Sequence, residues 1–338
     1  ISADGQTGGG TVLVGGDWQG TGDLLQATYL DIDANSKITA NALSSGAGGK
    51  IVAWSDIKNS SSVTNVFGTL EAKGIDGSGG QIETSGAEIN INGIRVNTSS
   101  ISGSFGNWLV DPTDLTIDAA AASTYATALA SSDVTLTADN TITLSNAISY
   151  SGARNATLTF NATTTVLNAN ISSTNGTLSL DFNSIVEIGD ANTTLTTNGG
   201  NVDISGVIRA VATETNNFTI NAGAGNVTFS SNVNSTPGSA ETSSYLTSST
   251  HTTTRNGNNP WTLSKDLGSD WTFEAKYYSA NLENGDLSTI FSYGHYTEGI
   301  LIRTPGRSDS FYVRGQNQGS LNLFGVSSGS GTGGGYKT

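Results

Sequence analysis

The chain has 338 residues, 43 of them glycine and 4 proline, and only 12 % are charged, against roughly 25 % in an ordinary globular domain. Its formal net charge of −14, with no run of Lys and Arg, disfavours nucleic acid and anionic lipid as partners. Glycine follows no three-residue period, which excludes collagen, and the absence of Cys excludes a disulfide framework, a thiolate zinc site and a Cys nucleophile.

Hydrophobic residues make up 35 % and recur at short intervals, so the chain is not disordered throughout. No stretch of about 18 apolar residues exists, so no membrane insertion is expected. A chain without Cys suits passage through an oxidising compartment. The first residue is Ile1 rather than Met, which reads as a processed or excised segment.

In chain order, short alternating strands follow one another, separated by Gly, Asn or Ser turns. They begin at Thr11–Val14, Lys50–Trp54 and Glu88–Ile91 and continue at Leu115–Ile117, Val134–Leu136 and Thr141–Leu144. The series goes on through Ala156–Phe160, Thr177–Leu180 and Ile185–Ile188 to Asn201–Ile204, Phe218–Ile220 and Val227–Phe229. Alternation at period two puts the aliphatic residues on one face and Thr, Ser or Asn on the other. Between Leu115–Ile117 and Val134 lies Ala119–Ala130, rich in small residues but too polar and too internal for a signal peptide.

Comparable strand starts fall at Asn107, Val134, Ala156, Thr177, Asn201 and Val227, in steps of 27, 22, 21, 24 and 26 residues. Such steps are what one coil of a parallel β-solenoid requires. A single coil cannot bury its apolar face; stacked coils bury a continuous core, and Asn and Ser at the turns can form ladders along the stack. A β-sandwich also has regular short strands, but its turns recur every 8–12 residues or so. About ten coils would extend roughly 50 Å at the spacing of β-strands.

After Pro237 the composition changes. Residues 238–259 form a Ser/Thr-rich linker, and residues 260–338 are dense in aromatic residues. There Trp271–Tyr277, Ser288–Tyr293, Gly299–Arg303 and Ser310–Arg314 read as strands of an antiparallel β-sandwich, and Ser327–Gly335 as a flexible tail. The expected fold is thus all-β: a parallel β-helix over 1–237, then part of a jelly-roll-like sandwich.

Several ordered motifs carry a resemblance. They are Gly8–Gly10 with Val12–Gly20 (VLVGGDWQG), Gly48–Asp56 (GGKIVAWSD), Gly68–Gly74, Gly79–Gly86 (GGQIETSG) and Gly106–Ile117 (GNWLVDPTDLTI). Over roughly residues 5–118 the chain resembles the filamentous haemagglutinins and high-molecular-weight adhesins of bacterial two-partner secretion. The resemblance implies a right-handed β-helix, export through an outer-membrane secretion partner, and adhesion at the cell surface. No secretion domain is recognisable, which places Ile1 downstream of it. Through Leu267–Lys276, Thr289–Tyr293 and Gly299–Arg303 the C-terminal part resembles laminin-G and concanavalin-like jelly rolls. These run longer, so further strands are expected beyond Thr338. That resemblance implies glycan or protein binding, in some members with calcium.

Two readings accompany each chemical candidate. Asp111 and Asp114, flanking Pro112 and Thr113, form either an acid pair for hydrolysis or a turn whose carboxylates bond local amides; the turn is preferred, as for Asp17 and Asp56. A polysaccharide lyase would need clustered acids and a base. Here acids are dispersed, and the bases are few: Lys37, Lys50, Lys58, Lys73, Arg95, Arg154 and Arg209. The two histidines, His251 and His295, have no further ligands near in sequence for a metal. No nucleophile elbow supports a Ser-His-Asp triad.

The ligand-binding candidates are Tyr293, His295 and Tyr296, an aromatic loop suited to stacking on sugar rings, with Arg303 and Arg307, and beside them Arg314, for an acidic glycan. An ordinary hairpin turn and exposed strand charges are the plainer alternatives. Sequons at Asn59, Asn97, Asn155, Asn161, Asn170, Asn175, Asn192, Asn217, Asn226 and Asn234 leave glycosylation open. The expected function is a non-enzymatic surface adhesin needing no cofactor, with calcium left open. Its partners would be host or matrix glycans or surface proteins. The alternatives are a self-associating matrix filament and a polysaccharide-degrading β-helix enzyme.

Overall fold

The computed structural model describes residues 1–210 and 216–231, and beyond them the backbone of five strands: Thr252–Arg255, Thr262–Leu263, Ser288–His295, Glu298–Thr304 and Tyr312–Gln316. The chain divides into two units. One comprises Ile1–Glu241 with Tyr245–Asp266; the other comprises Thr242–Ser244 with Leu267–Thr338.

The first unit is a parallel β-solenoid. Its longest ladder stacks Thr11–Val14, Lys50–Trp54, Gln81–Gly86, Asn107–Pro112, Asp133–Thr137, Ala156–Leu167, Leu178–Ile188, Val202–Ile204 and Val227–Phe229, every neighbour parallel. Nine rungs at the usual strand spacing span about 40 Å, somewhat less than ten coils would reach. Alternation decides what faces inward. One inward row is Val12, Ile51, Ile82, Trp108, Val134, Leu158, Leu180, Val202 and Val227, each beside the next across the ladder and all buried. The next inward row includes Ala53, Thr84, Val110, Leu136, Phe160, Phe182 and Ile204, in which Phe160 and Phe182 stack with ring centroids 4.7 Å apart. Thr84, the polar member, accepts a hydrogen bond from Trp108 Nε1 at 3.0 Å.

The coil length is not constant. Registered residues are 39 apart from Thr11 to Lys50 and 31 from Lys50 to Gln81. They are 26 apart at the next two steps, then 24, 22, 22 and 25. The near-regular period therefore starts at Gln81. Glu88–Asn90 is a strand, but it lies in a side sheet with Tyr29–Ile32 and Val63–Val66; the rung of the main ladder is Gln81–Gly86.

The cross-section changes at the fourth rung. In the first three coils a third sheet stacks Lys37–Thr39, Thr69–Glu71 and Arg95–Asn97. In the later coils another stacks Ile148–Tyr150, Ile171–Ser173, Thr193–Thr196 and Phe218–Asn221. Between them the chain forms an α-helix, Ala119–Ala128, packed on Arg95–Asn97 on one side and Ile148–Tyr150 on the other. The helix was not expected, since Ala119–Ala130 shows no apolar stripe. It is built locally: Asp118 Oδ1 accepts the Ala121 N–H at 2.8 Å as N-cap, and alanine is the best helix former. Its buried Tyr125 ring sits 5.6 Å from Trp108 and ties the helix to the ladder.

Side-chain ladders run along the stack. Between strand residues in register, Asn183 Nδ2 donates to Asn161 Oδ1 at 2.9 Å. Ser205 Oγ donates to Asn183 Oδ1 at 3.3 Å. At the turns, Asn170 and Asn192 each accept a backbone N–H of the next coil, from Thr194 and Asn217, at 2.7 Å. These two side chains replace water at amides that would otherwise be left unpaired.

Within 238–259, read from composition as a linker, Thr252–Arg255 pairs antiparallel with Phe218–Asn221, and Thr262–Leu263 pairs with it in turn. In the second unit Ser288–His295, Glu298–Thr304 and Tyr312–Gln316 form a three-stranded antiparallel sheet. Trp271–Tyr277 lies outside the described residues, as does any second layer of a sandwich.

Candidate functional site

Two places hold the residues with chemistry. The first is the hairpin of the second unit. Tyr293 pairs with Ile300 and His295 with Glu298, so Tyr293 and His295 share one end of the hairpin and, two apart, one face of the strand. Arg303 pairs with Thr289, at the other end, and with Tyr312 on its other side. Four residues of strand separate Tyr293 from Thr289, about 13 Å at the rise of an extended chain. The backbone thus groups Tyr293 with His295 and places Arg303 apart from them. Arg314 pairs with Leu301. Tyr296, Arg307 and His251 lie outside the described residues.

The second place is the outer face of the solenoid ladder. Here the outward row runs Leu13, Val52, Glu83, Leu109, Thr135, Thr159, Asp181 and Asp203. Toward the C-terminal coils the row is polar and partly exposed. Burial raises the Asp181 carboxyl above the usual range, the neighbouring Asp203 adds to it, and the Thr159 hydroxyl opposes. Toward the N-terminal coils residues 15–27 leave the ladder and fold back over it. The excursion is closed at its neck by Ala27 N–H donating to Gly15 O at 2.7 Å. Trp54 lies beneath it, its Nε1 donating to Gln26 Oε1 at 3.0 Å; a Cβ on Gly16 would run into the Trp54 indole. Lys50 Nζ lies 5.1 Å from the centre of the Trp18 ring.

Under this cover Glu83 is fully buried. Gln19 N–H donates to its Oε1 at 3.1 Å and its Oε2 at 2.9 Å, and Ser85 Oγ donates to Oε1 at 2.9 Å. None of the ion pairs among the described residues includes it. Burial is the largest influence and pushes its carboxyl up to about 7; Asp111 raises it further, while the Gln19 and Ser85 donors and Lys50 oppose. Asp111, beside Ser85 on the next rung, is pushed up to about 6 by burial and by Asp139. Raised carboxyls favour the protonated folded chain. Their stabilisation is complete below the unfolded pKa near 4 and is lost as pH rises through 6 to 7.

The acid-pair reading of Asp111 and Asp114 finds the two in different surroundings. Asp114 accepts from Thr141 N–H at 3.1 Å and Asn140 Nδ2 at 3.2 Å, on the next coil rather than within its own turn. Asp17 and Asp56 do bond local amides, those of Trp18 and Lys58. Sequence reasoning missed Glu83, whose burial depends on its neighbours in the ladder and on the excursion above it. No protein-family model, curated protein or solved structure matches the chain.

Proposed function

We propose that the chain is a stalk segment of a secreted bacterial surface adhesin, carrying a β-sandwich head that binds a glycan or a surface protein. The observation that supports this is the stacking of nine parallel rungs with a continuous apolar interior and side-chain ladders along the stack. Such a rod resists bending, because each coil is hydrogen-bonded to its neighbours along its length. Its coils are right-handed in this reading, as crossovers between parallel strands almost always are. Export through an outer-membrane partner to the cell surface follows from the resemblance of residues 5–118 to two-partner-secretion exoproteins. The role needs no catalytic residue.

The head binds through Tyr293, His295 and Tyr296, with Arg303 and Arg307 as secondary contacts to acidic sugars. Screening the full chain on a glycan array, with and without calcium, tests this. Saturable binding is expected, and simultaneous Tyr293→Ala, His295→Ala and Tyr296→Ala is expected to weaken it at least about ten-fold, because stacked aromatic anchors dominate such sites. No binding in either condition contradicts the glycan-binding head. Concentration-dependent polymers in sedimentation would then favour a self-associating filament.

A further inference from the structure

The excursion of residues 15–27 has the form of a flap. Its ends meet at the Gly15–Ala27 hydrogen bond, the geometry of a compact surface loop. Gly15, Gly20 and Gly22 all have positive φ, at 84°, 61° and 78°. Gln19 is held at φ 51°, ψ 33°, one of two non-glycine residues among the described residues with positive φ. A strained, non-glycine backbone persists where the surroundings hold it. What holds Gln19 is the bond from its N–H to both oxygens of Glu83. At the far end Leu24 and Leu25 are 49 % and 95 % exposed, so the flap's tip is not anchored by burial.

We propose that residues 15–27 are a pH-operated flap, closed over Trp54 and the outer ladder face while Glu83 carries a proton and released when Glu83 gives that proton to water. In the closed, neutral form one Glu83 oxygen accepts the Gln19 N–H, and the hydroxyl can donate to Ser85 Oγ. After ionisation the buried charge has two donors and, among the described residues, no cation in bonding range. Water entering from the flap side then solvates it better than the closed site does.

The acidic groups around it point the same way, and one basic group opposes them. From the following rung Asp111 repels a charge on Glu83, and Asp139 acts on Asp111 in turn. From the preceding rung Lys50 favours the charge, but its Nζ is taken up over the Trp18 ring. The flap itself carries Asp17 and Asp23 and no base. The flap is thus closed in mild acid and open in mild alkali. This device is independent of what the head binds.

Hydrogen exchange of the full chain tests it, read as protection factors so that intrinsic rates cancel. Peptides covering residues 16–27 are expected to lose protection at least about ten-fold between pH 5.5 and pH 8.5, while peptides covering 178–188 keep theirs. Glu83→Gln, neutral at both pH values, is expected to abolish the difference. Asp111→Asn, which leaves Glu83 in place, is expected to retain the loss with its midpoint at lower pH, and it serves if Glu83→Gln does not fold. Flap protection that is the same at both pH values, an unaltered loss in Glu83→Gln, an unmoved midpoint in Asp111→Asn, or an equal loss in residues 178–188 overturns the proposal.

Discussion

Replacing Trp108 with alanine is expected to destabilise the solenoid by about 3–5 kcal/mol, the range for truncating a large, fully buried aromatic side chain. The residue is 0 % exposed and lies between Ile82 and Val134 in the inner row. Two losses add to the cavity. The Thr84 hydroxyl loses its donor in an interior where unpaired polar groups are costly. The Tyr125 ring loses its partner at 5.6 Å, and with it the helix loses one of its attachments to the ladder. The damage should therefore begin at the fourth coil, where the two cross-sections meet, and spread to its neighbours, since each coil contacts only the next. Urea denaturation followed by circular dichroism checks the magnitude. Trp108→Phe should cost clearly less, because it keeps a six-membered aromatic ring in the core and loses only the smaller, N–H-bearing part of the indole; equal effects of the two changes would refute the packing argument.

The second large effect is expected at Arg154. Its guanidinium donates to Leu129 O at 2.9 Å and Ser132 O at 3.1 Å, pairs with Asp133, and lies 4.3 Å from the centre of the Phe105 ring. It thus closes the C-terminal end of the helix and links it to two successive rungs. Its side chain is 14 % exposed, and that of Asp133 is 33 %. Burial raises the Asp133 carboxyl, with Arg154 and the Thr157 N–H opposing. Removing the arginine leaves that carboxylate without its cation and two carbonyls without a donor. Arg154→Ala is expected to cost about 2–3 kcal/mol, below the full range for breaking a buried pair because Asp133 is partly solvated. Arg154→Lys should recover less than half, since an ammonium cannot reproduce the planar fork. Denaturation midpoints of the two variants check this; full recovery by lysine would show that charge alone mattered.

How much of this was readable from the residues depends on where one looks. From Val134 onward the strands alternate cleanly, as in Val134-Thr-Leu-Thr and Ala156-Thr-Leu-Thr-Phe, and the coil length is near constant, so both strand and repeat could be read. The first two coils hide the repeat because the flap and long side-sheet connections stretch them. The strand Gln81–Gly86 lies inside the Gly79–Gly86 motif but does not read as a rung, since Glu83 and Thr84 break the apolar alternation there. Both are explained only by the register: Thr84 meets Trp108, and Glu83 meets the flap. The Ala119–Ala128 helix lacks the amphipathic stripe that would announce it, because small residues let it sit close to the ladder. In the second unit the strands themselves could be read, with Ser288–His295 and Glu298–Thr304 within two residues of expectation.

The central claim is that strands about 22 residues apart are parallel neighbours along one stack. The absence of native Cys makes a direct test available. Thr157 and Ser179 are in register on adjacent rungs, and Asn201 lies one rung further on. Adjacent rungs lie about 4.8 Å apart, within the Cα span of a disulfide, and alternate rungs about 10 Å apart, outside it. The double variant Thr157→Cys, Ser179→Cys should therefore form an intramolecular disulfide under mild oxidation, detected as a cross-linked peptide by mass spectrometry. Thr157→Cys with Asn201→Cys should remain reduced. Cross-linking of the second pair and not the first would contradict the parallel stack.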